Sequence, residues 1–182
     1  NSLTLPTTNN KWRYFGDDTM EFYIDFETIN SNMGTCNMNN INYESNELIF
    51  MIGIGWVEND KYEYKCFTTK KRNYDSEYEM IKDFLNEINT IKIRNNKSDS
   101  IFIHWTKAEP QNYSKLVKRH SNKDDIPTLY FYDLYKLFYN NNIVVRGSLN
   151  FSLKNIAKSM NKNKMIKSNW NINNSCSNGL NA

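Results

Sequence analysis

Leu48-Ile49-Phe50-Met51-Ile52-Gly53-Ile54-Gly55-Trp56-Val57 is an almost unbroken apolar run. A strand covered on both faces reads this way. Upstream, Glu21–Thr28 alternates instead, with Ile24 and Phe26 on one face and Asp25 and Glu27 on the other. Downstream, Glu58-Asn59-Asp60-Lys61 is a turn and Tyr62–Phe67 alternates again, so the two segments form a hairpin. Three successive strands of this kind predict an antiparallel meander. The Asn/Ser/Gly-rich stretch 30–46 has no period and reads as a loop, long enough to be a functional lid or disordered.

The period then changes. Ser76-x-x-Glu79 fits a capping box, and Met80, Ile81, Phe84, Leu85, Ile88 and Ile91 recur at helical spacing until Asn95–Asp99 break the pattern. Ser100–Trp105 reads as a buried strand. Glu109–Arg119 reads as a helix with Pro110 tolerated in its first turn. Leu129–Asp133 is a fifth short strand running into a helix through Phe138, and Ser148 is expected to cap a last helix carrying Leu153, Ile156, Ala157 and Met160. The order βββ-α-β-α-β-α predicts an α/β fold, a mixed sheet with helices on its faces. The expected organisation is an arm over 1–20, one domain over 21–160, and a polar segment over 161–182.

Composition narrows the classes. A chain of 182 residues with 12 Tyr, 10 Phe and 4 Trp can build a core and is not disordered throughout. No run approaches the roughly 18 apolar residues of a membrane span, and the first residues lack the basic and apolar regions expected of a signal peptide. It starts at Asn1 without Met and reads as part of a longer polypeptide. Cys36, Cys66 and Cys176 are scattered and odd in number, which indicates neither a disulfide framework nor a zinc site and fits an intracellular setting. The 31 Asn point to an AT-rich genome, such as that of a large virus or an AT-rich microbe. A net charge of +3 permits a nucleic-acid partner without arguing for one. There is no P-loop and no G-x-S-x-G elbow.

Asp25 and Glu27 are the first candidate chemistry. Two like charges side by side on an apolar strand repel one another and resist desolvation. A divalent cation removes that conflict, and Mg²⁺ or Mn²⁺ takes oxygen ligands. The plain alternative is an edge strand with a solvated acidic face.

Beyond this the chain resembles a known group. Phe22-Tyr23-Ile24-Asp25-Phe26-Glu27-Thr28 resembles the first motif, Asp-x-Glu-Thr, of the DnaQ-like (DEDD) exonucleases, whose fold is ribonuclease H-like. Ile103-His104-Trp105-Thr106-Lys107-Ala108-Glu109 is similar to the His-Trp-Ser-x-x-Glu segment of the branch found with RecB-type nucleases. Tyr132-Asp133-Leu134, Val145–Lys154 and Asn178–Ala182 resemble that branch's later segments. The resemblance implies a ribonuclease H-like mixed sheet and a two-metal 3′–5′ exonuclease that hydrolyses DNA or RNA from a single-stranded end. Asp25, Glu27 and Glu109 would be metal ligands and Asp133 a further catalytic carboxylate, unless Asp133 caps its helix instead.

One departure stands against it. The family closes its site with a Tyr-x-x-Asp or His-x-x-x-x-Asp helix, and no acidic residue follows Asp133. Either the protein continues past Ala182 or the domain is catalytically incomplete and serves nucleic-acid binding or assembly. His104 reads as a satisfied core histidine. Lys154, Lys158 and Lys162 line one helix face, Lys164 and Lys167 extend them, and Lys115, Lys118, Arg119 and Lys123 form a second basic group. Such stripes track phosphates or are simply solvated. Trp56 and Trp105 sit in core-like strands, and Trp170 is the one tryptophan in a polar context suited to base stacking.

Overall fold

The computed structural model describes residues 15–29, 48–123 and 126–168. Strand β1 (Thr19–Ile29) buries Met20, Phe22, Ile24 and Phe26 and turns the intervening positions outward, as its alternation requires. Strand β2 (Leu48–Glu58) pairs antiparallel with it. Strand β3 (Lys61–Thr68) pairs antiparallel with β2. The β2–β3 turn has two central residues, Asn59 and Asp60, at φ 51° and 60°. Two such residues give the turn whose twist suits a tight hairpin, and Asn and Asp tolerate that conformation best after Gly.

Helix α1 (Tyr74–Arg94) buries the predicted apolar stripe, Met80, Ile81, Phe84, Ile88 and Ile91. Its cap differs from the expected one. The helix starts earlier, and Asn73 is the N-cap, its side chain accepting from the Ser76 amide at 2.9 Å. Ser76 instead accepts from the Lys71 amide through its hydroxyl. Two capping residues lay within reach of the same turn, and the one whose carbonyl reached the third helical amide took the role.

Strand β4 (Asp99–His104) returns parallel to β1, and helix α2 (Ala108–Arg119) follows with Pro110 in its first turn. Strand β5 (Phe131–Asp133) is shorter than expected and closes the order β3-β2-β1-β4-β5. The result is a mixed α/β architecture with β1 in the middle of the sheet. Phe84 of α1 packs on Phe67 and Phe102, and Tyr113 of α2 packs on Phe131, so both helices cover one face of the sheet. Phe22, Phe84 and Phe102 are wholly buried there, each contributing about 1.5–3 kcal/mol from removal of apolar surface.

The chain divides into two compact units, one of them Tyr14–Tyr132, which holds this sheet core. The boundary falls at Asp133. The other unit carries helix α3 (Leu134–Asn140) and helix α4 (Leu153–Lys162). Tyr135 stacks on Tyr139, and Phe151 meets both edge-on. The cap of α4 is Ser152, which accepts from the Asn155 amide, and not Ser148, whose hydroxyl donates to the Asn150 carbonyl. Ser148 follows Gly147 at φ 88°, in a turn that ends before the helix begins. Among the described residues no helix is long and apolar enough to cross a membrane.

Candidate functional site

The outward face of β1 holds the paired carboxylates. Asp25 is exposed and Glu27 half-buried, while Ile24 and Phe26 are buried on the other face. Asp25 lies opposite Gly53 of β2, and Tyr23 lies opposite Gly55. These glycines leave troughs that β3 fills. A Cβ at Gly55 would meet the Tyr62 hydroxyl at 1.9 Å, and one at Gly53 would meet the Tyr64 hydroxyl at 2.9 Å. Both tyrosine rings therefore lie down across β2 with their hydroxyls directed toward β1. Partial burial raises the Tyr64 phenol above its ordinary value, and the nearby Cys66 and the Asp25 charge push it the same way. Tyr62 is raised by burial first and then by Tyr23, whose ring lies 6.5 Å away.

Glu109 sits in the first turn of α2, where a carboxylate suits the helix dipole. It is buried, not displayed. His104, at the end of β4, is buried beside it with Nδ1 3.4 Å from Glu109 Oε2. Neither of those two atoms has a hydrogen-bond partner. His104 is thus a core histidine, as expected, with its Nδ1 facing Glu109. Thr106 in the connecting loop holds φ 72°, a conformation that costs a β-branched residue about 1–3 kcal/mol. Backbone strain and the buried Glu109–His104 contact meet in this one turn.

The basic and aromatic candidates divide. Arg119 leaves the basic group altogether, because it is buried in an ion pair with Glu77 at 2.7 Å. Lys115, Lys118 and Lys123 remain exposed. Trp56 is buried in β2, while Trp105 lies just past β4 and is half-buried rather than core. In the other unit, Asp133 accepts from the Tyr135 amide at 3.0 Å and caps α3. Lys154, Lys158 and Lys162 are exposed along α4, as their spacing predicts, and so are Lys164 and Lys167. Trp170, Cys36 and Cys176 lie outside the described residues.

Among the described residues no group of three or more His, Cys, Asp and Glu stands close enough to hold a metal ion. Asp25 and Glu27 share the outward face of β1, while Glu109 is buried in the first turn of α2. The pair on β1 suits Mg²⁺, which keeps several waters and commonly takes one or two protein carboxylates plus substrate phosphates. Comparison with known protein families and with curated protein sequences gives no match.

Three features were not read from the sequence. Glu77 is wholly buried and accepts from the Ile49 amide, Arg119 and His120. The alternation of Tyr62–Phe67 predicts a strand but not how the Tyr62 and Tyr64 rings lie. The signal for that was present: Gly-x-Gly in one strand of a tight hairpin and Tyr-x-Tyr in the other. Lys70 and Lys71, exposed just after β3, also went unread.

Proposed function

We propose that the Tyr14–Tyr132 unit is a ribonuclease H-like domain that hydrolyses phosphodiester bonds of DNA or RNA with a divalent cation, acting from the 3′ end. The observation that carries this reading is the position of Asp25 and Glu27. They share the outward face of β1, the central strand in the order β3-β2-β1-β4-β5, whose parallel neighbour β4 leads directly into α2. Asp25 and Glu27 would hold Mg²⁺ or Mn²⁺ between them. Such an ion supplies positive charge to the scissile phosphate and acidifies an attacking water.

The chain's own residues do the rest. Without a cation the two carboxylates repel a phosphate, so cation and substrate bind together. The sheet fixes both side chains on one face, which keeps the donors at a constant spacing. Tyr64, held beside Asp25, offers a phenol that stays protonated at neutral pH and can donate a hydrogen bond.

A second reading has its own support: a nucleic-acid-binding domain without hydrolytic activity. It draws on the absence, among the described residues, of a three-residue metal group and on the buried position of Glu109. End-labelled single strands separate the two. Shortening from the 3′ end with Mn²⁺, abolished by Asp25→Ala, is the expected result. Full activity in Asp25→Ala overturns the assignment, and metal-independent binding without shortening selects the second reading.

A further inference from the structure

Tyr62 and Tyr64 are 62% and 61% exposed although both rings lie along the sheet. A ring over a cross-strand glycine is a recognised stabilising contact in sheets. That contact uses one ring face. Here the other face of each ring is turned to solvent, and residues two apart on a strand stand about 6.6 Å apart. Two flat aromatic faces at that spacing leave room for one base on each.

The charges beside them select the direction of approach. Glu21, Asp25 and Glu27 make the β1 side acidic and unfavourable to a bare phosphate. Lys70 and Lys71 follow the end of β3, and both are exposed. The Thr69 amide donates to the Phe50 carbonyl at 2.9 Å, which pins the chain just before them to β2. Thr68 and Glu27 both pair with Met51, so the lysines leave the sheet at the end where Glu27 stands.

We propose that Tyr62 and Tyr64 form a stacking platform for the unpaired bases of a single-stranded nucleic acid, with Lys70 and Lys71 receiving its phosphates. The proposal shares with the functional reading the class of polymer and Tyr64, whose hydroxyl serves that reading and whose ring face serves this one, which is why binding is measured with a chelator present. Base stacking on aromatic rings tolerates any sequence, because every base has a π-face. The platform therefore holds a strand without reading it, and the basic end directs the backbone past the carboxylates.

The test is anisotropy of labelled oligothymidylate, oligouridylate and an abasic strand of equal length, all with a chelator present. Wild-type protein is expected to bind both base-bearing strands at least about fivefold more tightly per stacked ring than the abasic strand. Tyr62→Leu with Tyr64→Leu should erase that difference, and Tyr62→Phe with Tyr64→Phe should keep it. Lys70→Ala with Lys71→Ala should weaken all strands alike and lower the salt slope by about 0.7 per lysine. Circular dichroism confirms that each variant is folded. Equal binding of base-bearing and abasic strands by wild type, or an unchanged preference in the Leu pair, overturns the platform. The two ideas fail separately. Strand shortening in Mn²⁺ with an unaffected Leu pair removes the platform alone, whereas ring-dependent binding without shortening removes hydrolysis alone.

Discussion

Glu77 and Glu109 are both buried glutamates on the helical side of the sheet, and they are treated in opposite ways. Glu77 has both oxygens committed. Oε1 accepts from the Ile49 amide at 2.8 Å and Arg119 Nη2 at 2.7 Å, while Oε2 accepts from Arg119 Nε at 3.1 Å and faces His120 Nε2 at 2.9 Å. Glu109 has an oxygen with no hydrogen-bond partner, next to a histidine nitrogen in the same condition. A buried charge is tolerated when its hydrogen bonds are complete, and each missing one carries a desolvation cost. Glu77 ties the start of β2, helix α1 and the end of α2 into one unit. Glu109 does not stabilise its surroundings in that way.

The contrast breaks most directly at Glu77. Glu77→Ala strands the buried Arg119 charge and leaves the Ile49 amide without its acceptor. The expected loss is about 3–5 kcal/mol, the range for removing one partner of a buried ion pair. Urea denaturation with the slope unchanged measures it. A loss under about 1 kcal/mol would mean that the network relaxes onto water and that the two glutamates do not differ as described.

Acid sharpens the same point. Burial pushes the Glu77 carboxyl up, but hydrogen bonds from His120 and Arg119, the Arg119 charge and the Ile49 amide outweigh it and hold the group below its ordinary value of 4.5. A carboxyl depressed in the folded state contributes stability that is complete above the unfolded value. That stability is lost as pH falls through the folded one. Wild-type stability should therefore decline below about pH 4.5, and the difference between wild type and Glu77→Gln should shrink over that window. Glu58, pushed down to about 2 by Arg94 and Trp56, titrates with the same sign at the surface, which is why the difference and not the raw curve is the measurement.

Glu109→Gln should behave in the other direction. An amide in place of the carboxyl can donate to His104 Nδ1, whose distance from Glu109 Oε2 is 3.4 Å. Stability should hold or rise by about 1 kcal/mol or less, while any Mn²⁺-dependent strand shortening falls if Glu109 contributes to it. Destabilisation on the scale of Glu77→Ala would show that Glu109 is structural after all.

How far these roles were legible follows from where their partners lie. The strands, α1 and the two-faced character of β1 were readable because period and turn chemistry are local. The acidic pair on β1 was readable for the same reason. The caps were misplaced where two serine or asparagine residues competed within one turn, as at Asn73 and Ser76. The burial of Glu77 was not readable at all, since its partners are 28, 42 and 43 residues away. The grouping of Asp25, Glu27 and Glu109 rests on the family resemblance and not on any local pattern. Whether a side chain turns outward or into the core is settled by packing, and Glu109 turned inward.

The smallest expected change in stability tests the outward face. Gly55→Ala places a methyl where the Tyr62 hydroxyl now sits, at 1.9 Å. Backbone there would have no escape, but the obstructing atoms are the free end of an exposed side chain. Tyr62 should swing away, and the fold should lose about 1 kcal/mol or less, near the low end for added core volume. The near-ultraviolet dichroism of the tyrosines should change more than the unfolding midpoint does. Strand binding should fall as it does in the tyrosine variants, because the ring would remain in the chain while its orientation was lost. A fall in stability of several kcal/mol with binding per folded molecule unchanged would mean that the flat tyrosines serve the sheet alone.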